Sequence, residues 1–125
     1  SSTYVPGTVG AFTPGKTYKA RKVYTTPTNE RWAWAVVADK FCFTNGNTDV
    51  QAWTGSGYAS ALDSTNAKQA RYCIEYAERL VIADCLVSGL RDPYMLKWSA
   101  NGDPTVWDAA VNSTAGAAAL IDNAD

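Results

Sequence analysis

Thiols, carboxylates spaced along polar loops, and flat aromatic rings are the groups in this 125-residue chain that could do chemistry. Cys42, Cys73 and Cys85 are odd in number, have no C-x-x-C spacing, and are accompanied by no histidine. A zinc centre needs four nitrogen, sulfur or carboxylate donors in reach, and the usual set is not supplied. Cys42 and Cys73 therefore read as small core residues, with a Cys73–Cys85 bridge as the competing reading for that pair. Without histidine, serine and cysteine lack their ordinary base, and neither a G-x-S-x-G elbow nor a phosphate-cradling loop occurs. Asn45, Asn47 and Asp49 have the alternate spacing of a calcium loop, but Val50 stands where that loop needs Gly and Ser56 where it needs Glu. Asp103 and Asp108 could serve as two carboxylates for glycoside hydrolysis, but Asp-Pro more commonly starts a turn. No catalytic residue, metal or cofactor is expected.

The aromatic rings are the more open question. Trp53, Tyr58, Trp98 and Trp107 could stack on sugar rings, which makes a carbohydrate-binding module the alternative function. The plainer reading gives Trp53 and Trp98 to packing, as large apolar bodies with one N–H to satisfy.

These groups must be held by a small scaffold. Hydrophobic residues make up 46% of the chain and charged residues 18%, a balance that argues for one folded domain. Eleven basic residues against twelve acidic ones give no field to attract nucleic acid or an anionic membrane, so neither is expected as main partner. No apolar run approaches the roughly 20 residues of a spanning helix, and the first residues lack the pattern of a signal peptide.

Along the chain, residues 1–30 read as turns around one strand at 17–24, with Lys19 and Arg21 protecting an edge. Residues 31–65 read as a first β repeat: strands at 32–37 and 41–44, a reversal at Asn45-Gly46, and a return through Val50 to Trp53. Residues 66–108 form a second repeat and 109–125 a C-terminal strand region. The segment 66–83 is ambiguous. Its helix formers, with Ala70, Cys73, Ile74, Ala77 and Val81 on one stripe, suit a helix and an α+β fold. The other reading is two strands, 70–76 and 79–84, joined at Ala77-Glu78.

Self-similarity favours the strands. Shifted by 39 residues, VADKFCFTN falls on YAERLVIAD, acid on acid, base on base and apolar on apolar. Trp34 falls on Cys73 and Ala35 on Ile74, and after a longer loop Trp53 falls on Trp98. A period of about 40–45 residues carrying short strands is that of propeller blades. The expected fold is all-β, with antiparallel strand repeats forming propeller-like blades or a partial propeller.

The repeats resemble those of β-propeller-like structural proteins of tailed-bacteriophage virions, found in tail, head-completion and DNA-stabilisation components. The resemblance rests on Arg31-Trp32-Ala33-Trp34, on Phe43-Thr44-Asn45-Gly46 with Val50-Gln51-Ala52-Trp53, on Ala70-Arg71-Tyr72, and on Glu78 to Ala83. Its most specific part is LKWSANGDPTVWD, leading to Thr114-Ala115-Gly116 and AAALID. It implies a non-enzymatic virion protein, assembled in the host cytoplasm and acting through contacts with other virion proteins or further copies of itself. Members are several times longer. This chain, starting without Met, is then expected to be a piece of a longer protein, to complete its packing with other copies, or to close as a small sandwich or barrel. Contacts with a partner, or with a glycan under the alternative, are expected at Asn45, Asn47, Asp49, Tyr58, Arg91, Tyr94 and Trp107, chiefly on the loops 45–49 and 88–94.

Overall fold

Three two-residue turns organise the chain: Ala38-Asp39, Ala77-Glu78 and Ser88-Gly89, each with positive φ at both positions. This is the hairpin geometry whose twist matches that of paired strands. Four of the six residues are neither Gly nor Ser, so the local conformation is unfavourable and the flanking ladders must impose it.

The computed structural model describes Tyr24 and residues 31–120; the strand read at 17–24 lies outside them except for Tyr24. The protein is all-β. One four-stranded antiparallel sheet runs β1 (Ala33–Val37), β2 (Lys40–Thr44), β3 (Gln51–Trp53) and β4 (Ser60–Ala61), each strand beside the next. A second repeats that order with β5 (Tyr72–Tyr76), β6 (Arg79–Val87), β7 (Leu90–Trp98) and β8 (Gly116–Ala119). The strand region read at 109–125 thus supplies the fourth strand of the second sheet. Among the described residues no helix is long and apolar enough to cross a membrane.

The segment 66–83 contains no helix. Its helix-forming residues are overridden by the Ala77-Glu78 hairpin, whose ladder runs from Tyr76↔Arg79 to Tyr72↔Ala83. The first hairpin runs from Val37↔Lys40 to Ala33↔Thr44, so the two are in register at the 39-residue shift. The later match of Trp53 with Trp98 is corrected by one residue. Trp53 stands opposite Phe41, whereas Trp98 stands opposite Val81, the match of Cys42. Trp98 therefore corresponds to Ala52, and because side chains alternate, the two tryptophans lie on non-equivalent faces.

The reversal at Asn45-Gly46 is also not a two-residue hairpin. Only Gly46 has positive φ, and Asn45 instead turns its Oδ1 back to accept N–H bonds from Asn47 and Thr48 at 3.0 and 2.9 Å. A tertiary bond explains the difference: the Gly46 N–H donates to the Ala70 carbonyl at 2.9 Å, drawing the loop onto the segment that joins the sheets.

That joining segment bonds alternately to each side. Ala67 and Ala70 accept from Val50 and Gly46 of the first repeat, while Lys68 accepts from Leu86 and the Arg71 N–H donates to Asp84 in the second. Its two alanines are fully buried. The core lies between the sheets, with Ala35, Val37, Cys42 and Ala52 on one side and Cys73, Leu80 and Ile82 on the other, joined by Val50, Cys85 and Trp107.

Candidate functional site

The most informative feature of the fold is an inversion. In β1 and β2 the buried positions are Ala35, Val37, Cys42 and Thr44; shifted by 39, these become Ile74, Tyr76, Val81 and Ala83, none of them buried. Conversely Cys73, Leu80 and Ile82 are buried, and their matches Trp34, Phe41 and Phe43 are not. Cys73 is 4% exposed and Trp34 64%. The sheets thus do not pack through equivalent faces. One face type of the first sheet meets the opposite face type of the second, and among the described residues each sheet's other face is left open, apart from the Tyr24 ring on the first.

On the first sheet the uncovered face is aromatic. Trp34 stacks on Phe41 at 5.7 Å, Phe41 meets Phe43 at 5.6 Å, and Phe43 meets Trp32 at 5.6 Å and Tyr24 at 5.7 Å. Trp53 joins this face opposite Phe41 and donates its indole N–H to the Gly57 carbonyl at 3.1 Å. Cross-strand pairing of this kind follows from the pleat, which sets directly opposed side chains within contact.

On the second sheet the uncovered face is an open groove of about 630 Å³ lined by Ile74, Tyr76, Arg79, Val81, Leu96 and Trp98. Its floor depends on Gly116: a Cβ there would lie 2.6 Å from the Trp98 indole, so only glycine lets the ring lie along β8. Arg79 is anchored at the rim, donating from Nε to the Thr114 carbonyl at 3.2 Å. Isolated apolar side chains are normal on a protein surface, whereas contiguous apolar faces of this kind are less common.

The residues expected to contact partners are dispersed. Asn45 is fully buried and caps its own loop. Asn47 is exposed and Asp49 half-buried beside it. Tyr58 is exposed on the loop after β3, and Tyr94 is exposed within β7 of the other sheet, since the expected 88–94 loop is mostly strand. Trp107 is a correction: it is buried in the core and donates its indole N–H to the Pro104 carbonyl at 2.7 Å. It cannot stack on a ligand. The WSANGDPTVW segment folds as a tight closure, with Ser99 bonding both ways to Leu80 and the Gly102 N–H reaching the Glu78 carbonyl at 2.8 Å.

Arg91 is the second correction. Its guanidinium points inward, donating to the carbonyls of Gln69 (2.8 Å), Asp84 (2.6 Å) and Gly46 (2.6 Å) and to the Asp84 carboxylate (3.2 Å). It ties the second sheet, the joining segment and the loop of the first sheet at one point. Asp84, in a β-bulge with positive φ, also faces Arg71 at 3.5 Å. The planar fork of arginine suits several acceptors at once, which a lysine could not reach. Sequence spacing alone gave no sign of this cluster, although Asp84 matches Asn45, the corresponding capping position of the first repeat.

The remaining chemistry-bearing groups serve structure. Asp103 accepts from the Thr105 hydroxyl and N–H, and Asp108 from the Ala110 N–H, so each carboxylate closes its own turn. The Thr105 hydroxyl bond, then its N–H bond, hold the Asp103 carboxyl below its ordinary pKa. All three cysteines are free and buried. Burial pushes the Cys42 thiol up to about 11 and the Cys73 thiol up to about 12, so neither forms the nucleophilic thiolate near neutral pH. Among the described residues no group of three or more Cys, Asp or Glu side chains gathers to hold a metal ion.

Compared with protein-family models, curated proteins and solved structures, the chain matches none.

Proposed function

We propose that the protein is a non-enzymatic structural component of a tailed-phage virion, built of propeller-like blades and acting through protein–protein assembly. The observation that carries this reading is the pair of uncovered apolar sheet faces. A sheet apolar on both sides belongs between two neighbours, and among the described residues each sheet has one neighbouring sheet. The hairpins are pre-formed and bonded into ladders, so docking would order few residues and lose little conformational entropy. The phage assignment itself rests on the sequence resemblance, chiefly on the WSANGDPTVW closure.

Mass spectrometry of purified tailed-phage particles from a host whose phage encodes this sequence tests the assignment. Stoichiometric peptides of the chain in intact particles are the expected result, and their absence from particles while present in the lysate would overturn it. The carbohydrate-binding alternative has lost Trp107 as a stacking residue and keeps Tyr58. Glycan-array binding abolished by Tyr58→Ala would favour it over assembly.

A further inference from the structure

We infer that a second copy of this chain docks head-to-tail, placing the Trp34–Phe41–Phe43 face of its first sheet in the Ile74–Tyr76–Val81–Trp98 groove of the second sheet. The template is the contact already made within one molecule. There, the face of the first sheet that carries Ala35, Val37, Cys42 and Ala52 meets the face of the second that carries Cys73, Leu80 and Ile82. The groove is the counterpart of the former face, shifted along the repeat: Ile74 for Ala35, Tyr76 for Val37, Val81 for Cys42, Trp98 for Ala52. The aromatic face is the counterpart of the latter: Trp34 for Cys73, Phe41 for Leu80, Phe43 for Ile82. Each uncovered surface is therefore one half of an interface type this chain already forms.

Chemistry and shape agree with that occupant. The aromatic face carries no charge among Trp34, Val36, Phe41, Phe43 and Trp53, and the one charge on the groove, Arg79, is held at the rim by Thr114. Side chains on both surfaces are bulkier than their buried counterparts, and the groove between those of the second sheet is open. Because the two faces differ, the contact is heterologous: it cannot form a two-fold dimer through one patch, and it closes only as a ring. At two sheets per copy, about two to four copies complete the four to eight blades of known propellers.

The inference rests on the assembly reading for its biological sense, but its test is separate. Size-exclusion chromatography with light scattering is run on the chain, on Trp34→Lys and on Ile74→Lys. Both substituted side chains are largely exposed, so the fold should persist, as far-UV circular dichroism would check; Phe41→Ser and Tyr76→Glu replace either variant that fails. The chain is expected at about two to four times 13.4 kDa and each variant at 13.4 kDa. Mixed one to one, the variants should form a heterodimer and grow no further, since one keeps an intact groove and the other an intact aromatic face. A monomeric parent, a variant that keeps the parent's mass, or a mixture that stays monomeric would each overturn head-to-tail docking. A cover supplied by another protein or by the rest of the same chain gives the monomeric result. Detection in virions is unaffected by any of these outcomes, so the two readings fail independently.

Discussion

The two sheets begin with hairpins in the same register, yet Leu80 is fully buried while its match Phe41 is 37% exposed. The first sheet is short in its last two strands, with three residues in β3 and two in β4; the second has nine-residue β6 and β7. The second sheet also carries the internal fastenings: Arg91 on Asp84, Ser99 on Leu80, and the closure that buries Trp107. Repetition fixes the ladder, while burial depends on which neighbour is present. A residue's position in the repeat is thus a poor guide to its energetic weight.

The comparison can be broken most directly at Arg91. Arg91→Ala leaves the Asp84 carboxylate with Arg71 alone and takes the guanidinium donor from the Gln69 and Gly46 carbonyls, and should lower the unfolding free energy by about 3 kcal/mol. Arg71→Ala, whose pair is longer and more exposed, should lower it by less than about 1 kcal/mol. Urea unfolding midpoints would show this, and equal effects would mean that the Arg91 cluster does not fasten the sheets.

Matched core positions come next. Leu80→Ala should destabilise the fold by about 2–4 kcal/mol. Phe41→Ala at its counterpart should leave the dilute chain within about 1 kcal/mol of its parent, while reducing the assembled mass at higher concentration. Similar losses in the dilute chain would refute the inversion of burial.

A smaller effect sharpens the contrast between the uncovered faces. Gly116→Ala should cost about 1–3 kcal/mol by driving the Trp98 ring off β8. A shift in tryptophan emission should accompany it, and an unchanged spectrum would place the ring elsewhere.

The smallest effects are those of pH. Burial pushes the Asp63 carboxyl up, but hydrogen bonds from the Asn66 and Thr65 N–H groups and the Asn66 side chain, with Lys97 nearby, hold it below its ordinary 3.8. Asp103 is held down in the same direction by Thr105. A depressed carboxyl stabilises the fold above its unfolded pKa and loses that contribution as pH falls through the folded value. Stability should therefore decline on acidification below about pH 4, and less steeply in Asp63→Asn and Asp103→Asn. At the other end, the raised thiols of Cys42 and Cys73 contribute fully below pH 9.0 and lose that contribution as pH climbs towards about 11 and 12. Denaturant midpoints across pH would reveal both limbs.

Much of this was legible in the order of residues. The 39-residue shift located both first hairpins and favoured strands over a helix at 66–83, and buried Cys42 and Cys73 followed from type and pattern. Asn45-Gly46 misled, because a hairpin dipeptide signals local preference and here the Ala70 carbonyl claims the Gly46 N–H. Trp107 and Arg91 misled for a related reason: a ring or a guanidinium beside a turn looks available until the closure around it is known.

By itself the sequence determined the first hairpin of each sheet and the apolar character of both its sides, since side-chain alternation and the 39-residue repeat are read directly from the order of residues. Only tertiary structure decided which side is covered. That choice depends on how two already formed sheets stack, and on bonds such as those of Arg91 between residues 45 positions apart, where no local spacing rule applies.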